Sequence, residues 1–232
     1  MSAMDRRTPT SGRARGERGE ATRERLLRAA IDVFGRRGFE ASTRELAGAA
    51  GVNLAAIPYH FGSKRGLYLA AAEHIASEVR TRVGPALQRV QAETDDVLDE
   101  PRARALLQDI LEALARVMVD DGAASRARFV IREQMDPSEA FERLHGGAIG
   151  PTFAALARLI GRITGRDPCG RAVRIQVPRL VGQILILRAA RATVLRELRW
   201  ERIGEEEFAL IRDLIRSSVE GLRGADESGG GS

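Results

Sequence analysis

Among the 232 residues of this chain, few side chains are suited to making or breaking bonds. The histidines are His60, His74 and His145, and Cys169 is the one cysteine. No histidines fall in an H-x-x-x-H or H-E-x-x-H spacing, and there is neither a G-x-S-x-G elbow nor a phosphate-binding glycine loop. A single cysteine builds neither a disulfide framework nor a cysteine zinc site, and in "GRDPCGR" it reads as an incidental loop residue. The sequence therefore predicts no enzyme, no metal and no cofactor.

The residues that do gather lie at 53–68, "NLAAIPYHFGSKRGLY". In a chain with 7 Phe, 2 Tyr and 1 Trp, this stretch alone holds Tyr59, Phe61 and Tyr68, with His60 between the first two. Tyr59 and His60 cannot share the helix face that Phe61 takes, so a core that claims Phe61 leaves them outside. Pro58 lacks the N–H that would bond back to Leu54, and its ring crowds that carbonyl, so a short or distorted helix is predicted there.

Charge is unevenly placed around this segment. Residues 1–68 carry 13 Arg or Lys against 7 Asp or Glu, and residues 69–232 carry 24 against 25, so the whole excess of the +5 chain lies in its first third. A GC-rich genome accounts for the preference for arginine over lysine, Lys64 being the single lysine, but not for this distribution. A basic end on a neutral body fits a polyanion-binding segment attached to something else.

The elements that must position these residues read as helices throughout. Residues 1–20 are Gly, Ser, Pro and Arg with little to bury, and are predicted to be a flexible basic arm; residues 225–232 form a flexible tail. From Thr22, a predicted N-cap, Leu26, Leu27, Ala30, Ile31, Val33 and Phe34 recur at helical spacing up to Gly38. Ser42 and Glu45 form a capping box, Gly51 ends that helix, and Asn53 caps the next after a three- to four-residue turn, which is a helix-turn-helix. Ser63 caps a further helix, "VQAETDDVLDEP" is a linker, and Gly146-Gly147 and Pro151 interrupt a later helix. No run alternates with period two, so no strands are predicted. The fold class is all-α: a DNA-binding domain over 21–68 and a larger helical domain over 69–224. Hydrophobic content of 44% and charge of 30% suit a soluble chain. The longest uncharged apolar run is about seven residues, against the ~20 of a membrane helix, so no membrane partner and a cytoplasmic location are expected.

The first helix, the helix-turn-helix and "YHFGSKRGLY" together resemble the N-terminal domain of the TetR family of transcriptional regulators. The resemblance rests on Thr43, Leu46, Ala47, Ala50, Gly51, Val52, Asn53, Ile57, Tyr59, His60, Phe61, Ser63, Lys64 and Leu67 in one register. "RFVIREQMDPSEAF" and "VGQILILRAAR" are similar to the CecR-like branch. The resemblance implies a three-helix head whose third helix enters the major groove of an operator. Carried over position by position, Thr43, Arg44, Leu54, Ala55, Ala56, Tyr59, His60 and Lys64 face DNA, while Ile57 and Phe61 pack inward. Arg44 can read guanine with its bidentate fork or sit on a phosphate, and Leu54, Ala55 and Ala56 offer apolar contact to thymine methyls. Pro58 replaces an aromatic residue, often a phosphate-contacting tyrosine, so that contact is not carried over. Tyr68 is placed between domains. Arg13, Arg15 and Arg18 follow a neighbouring groove or merely solubilise the arm.

The same resemblance implies a repressor that binds a palindromic operator as a homodimer and is released by a small-molecule effector. An activator, or an architectural DNA binder without ligand, are the alternatives. The dimer is predicted from Val181, Ile184, Leu185, Leu195, Phe208, Ile211, Ile215, Val219 and Leu222, two apolar stripes that pair into a four-helix bundle unless they complete the monomer core. Ligand contact is assigned to Met118, Phe129, Met135, Phe141 and Phe153, with Arg128, Arg132, Gln134, His145 and Gln183 as polar candidates.

Overall fold

Two hydrophobic cores share one helix. The computed structural model describes residues 11–94 and 96–223, with the side chains of 11–15 left aside. Among the described residues there are twelve α-helices and no strand: α1 (Ser11–Arg37), α2 (Thr43–Ala50), α3 (Ala56–Phe61), α4 (Lys64–Ala92), α5 (Glu100–Val119), α6 (Ala124–Met135), α7 (Glu139–Leu144), α8 (Gly150–Thr164), α9 (Arg171–Arg174), α10 (Gln176–Ala189), α11 (Arg191–Leu198) and α12 (Glu205–Glu220). The first core gathers Leu26, Phe34, Leu46 and Ile57 from α1–α3 with Leu67, Tyr68 and Ile75 of α4 and Phe129 of α6. The second gathers Val83 and Val90 of α4 with Leu107 and Ile110 of α5, Leu159 of α8, Ile184 of α10 and Ile211 of α12. Val79 of α4 packs against both.

The sequence explains the helix ends. Ser42 Oγ accepts from the Glu45 N–H at 3.2 Å, half of the predicted capping box, and Gly51 ends α2 in the left-handed conformation at φ 61°. Ser63 Oγ accepts from the Gly66 N–H at 3.0 Å, and Asp99 Oδ1 accepts from the Arg102 N–H at 2.8 Å at the start of α5.

Four expectations change. The α1 helix runs back to Ser11, so Thr22 is not a cap; its hydroxyl donates to the Arg18 carbonyl at 2.9 Å inside the helix. Salt bridges one turn apart, Arg23–Glu20 and Arg28–Glu24, supply local support that hydrophobic periodicity does not register. Residues 1–10 of the predicted arm and the tail 225–232 lie outside the described residues. Gly146-Gly147 and Pro151 do not break a helix. A single π-helical stretch, His145–Ile149, carries the chain from α7 into α8, with Pro151 in the first turn, where its missing N–H is harmless. The glycines serve approach instead: a Cβ on Gly147 would stand 2.9 Å from Ala76 Cβ on α4. The long segment near 180–198 is two helices, divided at Ala190.

The fourth change concerns the C-terminal stripes. Ile184, Phe208, Ile211, Ile215, Val219 and Leu222 are all buried within the single chain, completing the second core around α5. Val181 and Leu185 line a cavity, and Leu195 is half-covered on α11. Six of the nine residues predicted for the dimer thus belong to the monomer's own core. Each of these helices has a second, outward apolar set: Ile186 on α10 is 51% exposed, and Leu210 and Leu214, one turn apart on α12, are 59% and 49% exposed.

The α1 and α6 helices cross so closely that a Cβ on Gly35 would stand 2.5 Å from the Ser125 carbonyl oxygen. Gly35→Ala is expected to destabilise the protein by about 1–3 kcal/mol through overpacking. Urea unfolding should show a lowered midpoint with an unchanged slope; an unchanged midpoint would mean the crossing yields freely.

Candidate functional site

The head presents one irregular helix flanked by exposed side chains. Asn53 does not cap α3 directly: its Oδ1 accepts from the Ala55 N–H at 2.9 Å in a turn that precedes the helix. The Leu54 carbonyl, which Pro58 cannot serve, accepts from the Ile57 N–H at 3.3 Å, a tightened first turn. The result is a helix of 6 residues, as Pro58 predicts. Ile57 is buried, while Tyr59 is 82% exposed and rests edge-on against the His60 ring at 4.8 Å. Arg44 is exposed in the first turn of α2, and Leu54 and Ala55 are exposed before α3, with Ala56, His60 and Thr43 partly covered. Phe61 packs inward beneath the Arg23 guanidinium, 5.2 Å from its ring centre.

Lys64 departs from this outward set. Its ammonium donates to the Phe39 carbonyl at 2.7 Å and the Ala41 carbonyl at 3.2 Å, and lies 4.2 Å from the Phe39 ring centre. It fastens the turn between α1 and α2 to the start of α4, which a side chain extended toward a phosphate would not do.

Below the head, Tyr68 occupies the predicted place between domains. Its ring meets Phe34, Phe39 and Phe129, and its hydroxyl donates to Glu133 Oε1 at 2.6 Å. Glu133 is 2% exposed, and its other oxygen accepts from the Ser138 N–H at 3.1 Å and the Ser138 hydroxyl at 2.8 Å. Burial, then the Glu133 hydrogen bond and charge, push the Tyr68 pKa well above the ordinary tyrosine value. Arg65 at the start of α4 pairs with Glu139, and the Arg65 hydrogen bond lowers the Glu139 carboxyl from its usual range.

A cavity of about 360 Å³ lies between α4, α6, α8 and α10. Its wall is largely apolar, including Ile75, Val79, Val130, Ile149 and Val181, with Glu78, Arg82, Arg126 and Arg188 as its charged groups. That fits a small-molecule site, ~300–1,000 Å³ and mostly apolar with a few polar groups. Of the predicted ligand residues, Met118, Gln134, Met135 and Phe153 line it. Phe129 instead fills the first core, because its side of α6 faces Tyr68. Arg132 donates to the Arg36 carbonyl at 3.4 Å and borders a separate, charged hollow of about 420 Å³ beside Tyr68. Arg128 points out to solvent; Phe141 stacks near His145 at 5.7 Å on α7, away from the cavity. Gln183 is held by the Ser218 hydroxyl at 2.8 Å across to α12. Sequence reasoning missed Glu78, Arg82, Arg126 and Arg188; a usable signal was Glu78 and Arg82 one turn apart on α4, whose neighbouring turns are otherwise core-facing.

Comparison with known proteins agrees with this geometry. Residues 26–71 match the family described as bacterial regulatory proteins, tetR family, and residues 103–224 match the C-terminal domain of the HTH-type transcriptional dual regulator CecR. The dual regulator CecR of Shigella flexneri is 33% identical over 206 residues, covering 88% of this chain and 92% of that protein. Among solved structures, a TetR-like transcriptional regulator from Rhodococcus sp. RHA1 aligns with a TM-score of 0.58 at 18% identity, covering 86% of this chain and 93% of its own. The multidrug binding protein EbrR, complexed with malachite green, aligns at 0.55 and 21% identity, covering 86% and 96%. No described helix is long and apolar enough to cross a membrane.

Tyr68→Phe removes the donor to Glu133 Oε1 and is expected to cost about 1–3 kcal/mol at neutral pH, the penalty of an unsatisfied buried acceptor. Because the folded-state pKa of Tyr68 is raised, its contribution is fully present below the unfolded value of ~10 and is lost as pH climbs past it. The stability gap between the two proteins should hold to pH ~10 and narrow above it. A gap that is absent at pH 7 in thermal unfolding would refute the bond's contribution.

Proposed function

The chain belongs to the TetR family of bacterial transcriptional regulators, with a second domain of the CecR kind, and from that premise we propose that it represses transcription as a ligand-released homodimer. The observation that carries this reading is the placement of α4. Its first turns pack against α3 and share its core through Leu67, and its middle turns, Ile75, Glu78, Val79 and Arg82, wall the cavity. A molecule that enters the cavity better in one position of α4 than in another shifts the heads with it, which is all that release requires. The cavity also favours a sensor over an architectural DNA binder, whose second domain has no need of one.

On this reading, the head meets the major groove with Arg44, Leu54, Ala55, Ala56, Tyr59 and His60, flanked by Thr43. Lys64 acts by holding the α1–α2 turn. Two heads related by two-fold symmetry read half-sites about one DNA turn (~34–36 Å) apart or a multiple of it, hence a palindromic operator. The second copy covers Ile186, Leu210 and Leu214, the outward apolar set that the single chain leaves bare. The Shigella relative is a dual regulator, which favours activation at some promoters as a second reading.

Arg44→Ala and Tyr59→Ala should each weaken operator binding by about fivefold to 150-fold, from ~1–3 kcal/mol per base contact, with melting temperature unchanged. Lys64→Ala should lower the melting temperature as well. Gel-shift titration that finds binding intact in both head variants would remove α2 and α3 from the groove. For the dimer, Leu210→Glu with Leu214→Glu is expected to sediment as the 25.3 kDa monomer while wild type sediments at twice that mass. A wild-type monomer at micromolar concentration would contradict it.

A further inference from the structure

The cavity's charges are not balanced. Arg82 pairs with Asp120 at 3.2 Å, and Arg126 pairs with Asp120 at 3.3 Å and with Glu78 at 3.1 Å. Glu78 also stands 3.3 Å from His74 Nε2, and Arg191 pairs with Asp121. Each acid at this end therefore already has a basic partner. Arg188, half-buried on α10 and lining the same cavity, has no carboxylate partner among the described residues; its Nη1 reaches only the Asp120 carbonyl at 3.4 Å. Burial and the like charges of Arg191 and Arg128, only partly offset by Asp121 and Asp120, lower its pKa from the ordinary arginine value. A half-buried cation with no carboxylate in contact is, among the described residues, the one charged group of this wall that an anionic ligand could pair with directly.

Resting on the reading of this cavity as the effector site, we infer that the effector is an amphipathic anion: an apolar body lies among Val79, Val130, Phe153 and Val181, and a carboxylate or similar head pairs with Arg188. The guanidinium fork suits a planar two-oxygen head, which can take two parallel N–H donors. A cationic head meets one acid in this wall, Glu78, whose charge is already offset by the Arg126 ion pair at 3.1 Å although its Oε2 accepts no hydrogen bond. A neutral ligand of the same shape fills the apolar part and leaves Arg188 as it was.

The test uses the full chain and three probes that share an eight-carbon chain, below their micelle concentrations: octanoate, 1-octanol and octyltrimethylammonium. Calorimetric titration should find octanoate binding about tenfold or more tighter than octanol, as one charge-assisted hydrogen-bonded pair supplies, and octyltrimethylammonium weakest. In Arg188→Gln, octanoate should lose that advantage while octanol keeps its affinity. Arg188→Gln should melt no lower than wild type, because it removes a charge its surroundings disfavour. Equal affinities for octanoate and octanol in wild type, or an octanoate affinity untouched by Arg188→Gln, would overturn the anion inference and leave the effector site standing. Failure of all three probes to bind would count against the cavity as an effector site at all.

Discussion

A carboxylate buried where head and body meet constrains the rest of the molecule. Glu133 loses its water, and a polar group in that position is tolerable only if its oxygens are met by donors. Three donors meet it, from α4 through Tyr68 and from the start of α7 through the Ser138 hydroxyl and amide. The geometry of each donor is therefore bound to that of the others. If α4 rotates or slides, Tyr68 leaves Glu133; if α7 moves, Ser138 does. An apolar residue at 133 would pack against the same rings without fixing their registry, so the polar joint supplies position where the surrounding apolar contacts supply cohesion.

The helix held at this joint belongs to both cores, and the ion pairs along it reinforce the connection. Arg65–Glu139, Glu73–Arg143, Glu78–Arg126 and Arg82–Asp120 run down α4 and tie successive turns to α6, α7 and the loop after α5. Exposed pairs of this kind stabilise little singly. Their value here lies in placement: the lower two stand at the cavity, the upper two beside the head. On the proposed reading, a ligand in the cavity would act on the same helix that Lys64 and Tyr68 anchor at its other end. Coupling between the sites thus needs no wire beyond one rigid element with two ends.

Much of the head was legible in the sequence because local rules decide it. Ser42, Gly51 and Ser63 fix helix ends through bonds to residues within four positions, and Pro58 shortens α3 by what it lacks. Tyr68 could be placed between domains from its position one turn into α4. The second domain was less legible because its helices carry apolar residues on two sides. Periodicity finds Phe208, Ile211 and Ile215 and equally Leu210 and Leu214, but it does not say which set faces α5. Gly146-Gly147 resembled a helix break, yet the need they answer is close approach to Ala76. Aromatic or flexible character points to ligand residues, and Phe129 and Phe141 have that character with other neighbours. Glu133 carries a signal of its own: it follows Phe129 by one turn, a charged residue on an apolar face.

If the shared helix α4 binds the two cores together, they cannot open separately. Native-state hydrogen exchange across a urea series measures this directly, by comparing amides of Ile57 and Leu67 in the first core with those of Leu107 and Ile110 in the second. Merging of both sets onto one unfolding isotherm, with the same free energy and slope, is the predicted result. A head that exchanges through its own opening, at lower free energy and with a smaller slope, would contradict the account.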